Sequence, residues 1–88
     1  MKIKNGFILR DVGGKTFVVA VGDRSREFKG MITLNETGKL IWQTLTNEAT
    51  VEDVVDAIMK EFECDDRDLV TNDVVAFIEK LEKDGILE

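Results

Sequence analysis

The first third of the chain alternates apolar and polar residues, which is typical of short β-strands. Two such runs, residues 7–12 and 16–21, flank Gly13-Gly14. This pair favours the two-residue turn of a β-hairpin, in which both central residues need positive φ. With that turn, Val12 lies opposite Lys15, and Leu9 lies opposite Val18. We expect residues 22–26 to form a polar loop before a third strand.

The third predicted strand covers residues 27–34 and has Lys29, Met31 and Thr33 on one face. In a three-stranded meander it is an edge strand, with a row of free backbone N–H and C=O groups. Gly30 in its middle indicates either a close approach of another backbone or a β-bulge. Met31 is interpreted either as an adaptable apolar contact or as a core residue.

The rest of the chain has the 3.6-residue apolar period of amphipathic helices. Asn35 is the expected N-cap of a first helix that ends near Leu45. Thr50 begins a second helix with a capping box, and the apolar stripe of this helix runs from Val51 to Phe62. Asp65 or Asp66 caps a third, which ends before Gly85 in the left-handed C′ position. We therefore predict a single α+β domain over residues 1–88, a three-stranded antiparallel sheet followed by three helices, resembling a winged helix-turn-helix.

The composition of the chain excludes several classes of function. The 88 residues have a net charge of −6, no His, no Tyr and one Cys. The chain therefore lacks the commonest general base and the ligand set of a zinc or iron–sulfur site, and we expect no catalytic residue, no metal and no cofactor. The acidic balance opposes nucleic-acid binding. No apolar run is long enough to span a bilayer, and the single Cys fits a reducing compartment, so we expect a cytoplasmic protein without a membrane partner.

Several segments follow one another in a characteristic order. The strand-into-helix segment 31–45 carries the elements Leu34-Asn35, Thr37-Gly38 and Ile41-Trp42, and residues 50–55 follow it. The acidic segment 64–66, residues 72–81 and the terminal residues 85–87 complete the set. In their order and spacing these segments resemble the PqqD family, and the resemblance covers essentially the whole chain.

The resemblance implies a stand-alone recognition element for ribosomally made, modified peptides. Such domains bind the leader segment of a precursor peptide as an added strand and deliver it to a modifying enzyme, often a radical SAM protein. The leader's side chains enter the cleft between the third strand and the third helix. The predicted peptide-binding residues are Glu27, Phe28, Lys29, Gly30, Met31, Ile32, Thr33, Leu69, Val70, Asp73, Phe77 and Lys80.

Two residues of the third helix keep a second interpretation. Leu69 is either the floor of a pocket or a peripheral core residue, and Asp73 either pairs with a basic leader side chain or is a solvated helix carboxylate. Trp42 is predicted to be core. Two alternative functions also stay open: a structural or dimerisation module that pairs through the same strand edge, and, less favoured by charge, a DNA-binding winged helix.

Overall fold

The computed structural model describes residues 1–27 and 30–88. It has a sheet followed by three long helices, and this confirms the predicted architecture. A short helix, α1, lies before the last strand, so the third predicted helix is numbered α4. The elements are β1 Phe7–Val12, β2 Lys15–Ala20, α1 Arg24–Glu27, β3 Met31–Leu34, α2 Glu36–Leu45, α3 Val51–Glu61 and α4 Arg67–Lys83.

The sheet is antiparallel with strand order β1-β2-β3. Gly13 and Gly14 have φ of 58° and 79°, the positive values that the two-residue turn requires. Val12 lies opposite Lys15, and Leu9 lies opposite Val18, as predicted. On the other side of β2, Val18 pairs with Ile32 of β3. One turn therefore sets the register of the whole sheet.

The start of the third strand was predicted wrongly. β3 begins at Met31, whereas Glu27 ends α1 and Gly30 lies in a bend just before the strand with φ of 106°. Gly30 is thus neither a mid-strand contact point nor a bulge; its backbone angle is one that residues with a side chain rarely adopt. The predicted positions Phe28 and Lys29 lie outside the described residues.

The predicted loop over residues 22–26 is instead partly helical. Ser25 and Arg26 donate backbone hydrogen bonds to the carbonyls of Gly22 and Asp23, which closes a single turn. The Arg24 guanidinium lies 5.9 Å from the centre of the Phe7 ring, and its Nε donates to the carbonyl of Asn5. These contacts join α1 to the start of β1 and are tertiary, so the local pattern did not reveal them.

The helix ends follow the capping rules that the sequence indicated. Asn35 Oδ1 accepts from the N–H of Gly38, and Thr50 and Asp53 form a reciprocal capping box. Asp66, one of the two candidates, caps α4. At its end the N–H groups of Gly85 and Ile86 donate to the carbonyls of Glu82 and Leu81, a Schellman motif.

The core lies between one face of the sheet and the three long helices. Trp42 is buried as predicted, together with Val18, Leu34 and residues from each long helix. The N-terminal segment adds a bridge that the sequence did not indicate: Ile3 pairs with Leu87, and Lys4 donates to the carbonyl of Ile86. The end of α4 is thereby tied to the segment that leads into β1.

A polar link joins the hairpin to α2 at the edge of this core. Asp11 Oδ1 accepts from the Thr16 hydroxyl at 2.5 Å, and Lys39 Nζ donates to the same carboxylate at 3.0 and 3.1 Å. The hydrogen bond from Thr16 and then the interaction with Lys39 hold the pKa of Asp11 below its usual value of 3.8. The charged form of Asp11 is therefore the form that the fold favours.

We predict that Asp11→Asn lowers the free energy of unfolding near pH 7 by more than the matched change Asp65→Asn, which alters an exposed carboxylate in the loop before α4. Because the folded pKa of Asp11 is lowered, its stabilisation is complete above the unfolded value of about 3.8 and is lost as the pH falls through the folded value. Urea unfolding from about pH 7 to about pH 2.5 should show the gap between wild type and Asp11→Asn closing. A gap of constant size would contradict this assignment.

Candidate functional site

The free edge of β3 is defined by the register of the hairpin. A two-residue turn closes on a pair of residues that exchange both hydrogen bonds, and such pairs recur at every second position. Lys15, Phe17 and Val19 therefore bond to β1, which leaves Thr16 and Val18 to bond to Leu34 and Ile32. The N–H and C=O groups of Met31 and Thr33 consequently point away from the sheet.

The side chains of β3 alternate as predicted. Met31 and Thr33 are exposed, Ile32 is half-buried, and Leu34 is buried against the core. The edge thus offers outward backbone groups at the two residues whose side chains lie on the outer face. Ile32, between them, turns its side chain toward the helices.

Gly38 lies where β3, α2 and α4 meet. A Cβ atom at this buried position would lie 3.3 Å from Cε2 of Phe77 and 3.4 Å from Cδ2 of Leu34. The end of β3 and the middle of α4 therefore converge on the first turn of α2, and the missing side chain allows this approach. Phe77 is half-buried and packs against the core.

An apolar groove of about 300 Å³ lies beside this junction. It is bounded by the start of α2, the end of α3 and the first turns of α4. Its lining residues are Thr37, Ile58, Phe62, Cys64, Leu69, Val70 and Asp73. Thr37 follows the last residue of β3 by three positions, so this wall lies within about 10 Å of the strand. We call this cavity the α4 groove.

The structure brings together three of the predicted residues of the third helix. Leu69, Val70 and Asp73 all line the α4 groove. Leu69 is 58% exposed, which rules out the interpretation as a core residue, whereas Val70 is 8% exposed and forms part of the floor. Asp73 is the charged residue among those that line the groove, and it places a carboxylate beside an apolar wall.

Lys80 is set apart from these residues. It is exposed and belongs to the last turn of α4, two turns beyond Asp73, and it does not line the groove. The predicted site therefore has three separate parts: the edge of β3, the α4 groove, and Lys80 further along α4.

Sequence reasoning missed four lining residues, namely Thr37, Ile58, Phe62 and Cys64. Phe62 was placed on the core stripe of the second helix, but it is the C-cap of α3 and is 36% exposed. Glu63, directly after it, has a φ of 49°, an angle uncommon for a residue with a side chain. No local signal reveals that the end of α3 faces the start of α4.

Within the described part of the chain, no cluster of three or more His, Cys, Asp or Glu side chains is arranged to hold a metal ion. In the same residues, no helix is long and apolar enough to cross a bilayer. What the described site offers is hydrogen bonding along an edge and burial of apolar side chains.

Residues 9–87 match the protein-family model described as Coenzyme PQQ synthesis protein D (PqqD). Among solved structures, the chain is similar to that of "TbiB1 in Complex with the TbiA(beta) Leader Peptide". The two are 25% identical with a TM-score of 0.76, and the similarity covers 100% of this chain and 95% of that one. No curated protein sequence matches the chain.

The different burial of Leu69 and Val70 can be tested by stability. We expect Leu69→Ala to change the free energy of unfolding by no more than about 0.5 kcal/mol, because the side chain is already largely exposed. Val70→Ala should lower it by about 1–2 kcal/mol, since a buried side chain is truncated. Urea unfolding of both variants makes the comparison, and equal losses would contradict the difference in burial between the two side chains.

Proposed function

We propose that this chain, which belongs to the PqqD family because the family match spans residues 9–87, binds the leader segment of a ribosomally made precursor peptide. The main observation in support is that the N–H and C=O groups of Met31 and Thr33 point outward from the edge of β3. The similar TbiB1 structure, a complex with a leader peptide, supports this function. We propose that residues 1–88 act as one peptide-binding domain.

The leader binds as a fourth strand beside β3. In β-augmentation, main-chain hydrogen bonds supply affinity and alternate side chains supply specificity. Met31 and Thr33 together offer two donors and two acceptors, and at about 0.5–1.5 kcal/mol each these contribute roughly 2–6 kcal/mol. A micromolar complex needs about 8 kcal/mol after ordering costs, so the edge alone is insufficient.

The α4 groove supplies the remaining affinity. It lies close to the end of β3, so a strand paired with β3 extends toward Thr37 and the groove. Its exposed Leu69 and buried Val70 suit an apolar leader side chain, and Asp73 suits a neighbouring Lys or Arg. Lys80 favours an acidic residue further along the leader.

The β3 edge is shorter than the sequence indicated, so we revise the peptide-binding set. Glu27 and Gly30 fall outside the strand and are not part of the edge. Ile32 and Phe77, both half-buried and packed against the core, form the base against which an added strand packs. The four-residue length of β3 makes the groove the main source of selectivity.

The chain itself performs no chemistry in this proposal and serves as a peptide chaperone. PqqD-like recognition elements are non-catalytic peptide-binding proteins, and the chain has no His to act as a general base. It delivers the bound leader to a modifying enzyme, for which we propose a radical SAM protein, in the cytoplasm. Homodimerisation through β3 competes for the same backbone groups and is the rival outcome in the next test.

We predict that Met31→Pro and Thr33→Pro weaken leader binding about three- to tenfold each, because each removes one outward N–H donor. Met31→Ala and Thr33→Ala are the matched controls, since they shorten the same side chains and keep the donor. Fluorescence anisotropy with the labelled leader segment of the proposed precursor peptide measures the affinities. Circular dichroism verifies that each variant is folded.

Equal affinities for the Pro and Ala variants would contradict strand addition in this register. Wild-type protein that sediments as a dimer at micromolar concentration, and as a monomer after Thr33→Pro, would favour self-pairing through β3. In that case the leader would bind more weakly as protein concentration rises.

The role of Asp73 is tested by a double-mutant cycle. We expect Asp73→Asn to weaken a leader that carries a Lys or Arg at the groove by up to about fivefold, the range of an exposed ion pair. The same substitution should not affect a leader in which that residue is Gln. Asp68→Asn, an exposed carboxylate on α4 outside the groove lining, is the control. Equal losses with both leaders would remove Asp73 from the site.

A further inference from the structure

The face of the sheet opposite the core carries apolar side chains that are exposed or half-exposed in the described residues. Strand alternation and register place Ile8, Val19 and Met31 in one row across the three strands, next to Phe17 and Val12. Val12 and Met31 are each 62% exposed, and Ile8 is 37% exposed. We call this surface the outer sheet face. It is distinct from the α4 groove, which lies on the helical side.

The charges on the outer sheet face have one sign. Arg10 and Lys15 are exposed on it, and no carboxylate belongs to it among the residues of β1, β2 and β3. Asp11, the acidic residue in these strands, has its side chain on the other face, where it is held by Thr16 and Lys39.

This arrangement is part of a larger separation of charge. Residues 1–30 contain seven basic and three acidic side chains, whereas residues 31–88 contain five basic and fifteen acidic ones. Of these seven basic side chains, Arg10 and Lys15 lie on the outer sheet face, which is therefore basic and apolar on a chain whose net charge is −6. Such complementary fields steer association and orient a partner.

We propose that the outer sheet face docks an acidic, apolar-centred surface of the peptide-modifying enzyme, an inference that rests on the proposed leader-binding function. Arg10 and Lys15 pair with carboxylates at the rim, and Val12, Phe17 and Met31 contact the apolar centre. A second copy stacked through the same face would oppose like charges. Two cations are too few for a nucleic acid or an anionic membrane, which are bound by larger clusters of basic side chains.

The small area of the outer sheet face makes docking of the enzyme depend on the bound leader. Three strands about 4.8 Å apart and about 20 Å long give roughly 300 Å², well below the roughly 800 Å² per partner of a standard interface. A leader strand on β3 widens the same face, because its alternate side chains project beside Met31 and Thr33. The enzyme therefore binds the leader complex more tightly than it binds the leader-free chain.

The test reverses the charges of Arg10 and Lys15. Arg10→Glu combined with Lys15→Glu is compared with Lys60→Glu combined with Lys83→Glu, an equal charge change on exposed helix positions. The probe is the purified peptide-modifying enzyme to which the chain is proposed to deliver the leader, tested with and without the leader. We expect the first pair to weaken enzyme binding at least tenfold and to reduce its salt dependence. The second pair should change enzyme binding less than twofold, and both should keep the leader affinity of the wild type.

Equal enzyme affinity for the two double variants overturns the docking surface, as does undetectable binding of the leader-loaded wild type at about 100 µM. Wild-type dimerisation abolished by Arg10→Glu with Lys15→Glu assigns the face to a second copy instead. Binding to vesicles of phosphatidylcholine and phosphatidylglycerol that depends on these cations assigns it to a lipid surface. Leader affinity is measured in a separate experiment. A wild type that does not bind the leader would therefore contradict the proposed function and not the docking surface.

Discussion

The register of the β1–β2 hairpin is the constraint on which the site depends. Gly13 and Gly14 at positive φ fix the pairing of β1 with β2. This pairing determines which residues of β2 are left to bond to β3. A shift by one residue would turn Ile32 outward and Met31 toward the helices. It would also direct the free N–H groups of Met31 and Thr33 into the sheet.

The ends of the helices define the α4 groove beside β3. α2 starts directly after β3 because Asn35 caps it, and its first turn contains Gly38, where α4 makes its close approach. α3 ends at its C-cap Phe62 and α4 begins after its N-cap Asp66, so only a short connection separates them and the start of α4 faces the end of α3. The groove is a consequence of these three ends meeting beside an open strand.

Local rules explain which features were predictable. The hairpin turn, the caps at Asn35 and Thr50, and the burial of Trp42 were predicted correctly because they depend on residues close in sequence. For the third helix the prediction left Asp65 and Asp66 open, and the structure selects Asp66. The start of β3 was not, because the turn of α1 and the left-handed Gly30 intervene before it. Phe62 was assigned to the core because periodicity describes one helix and does not reveal which neighbour its end faces. The charge separation is visible in the sequence, but its location on one face requires the fold.

Amide hydrogen exchange at β3 tests the central claim most directly. In the free protein, the N–H groups of Ile32 and Leu34 should exchange slowly because they bond to β2, and those of Met31 and Thr33 should exchange fast. Addition of the leader should slow Met31 and Thr33 selectively, since a fourth strand then accepts their hydrogen bonds. Saturating leader that leaves both amides in fast exchange would contradict binding by strand addition.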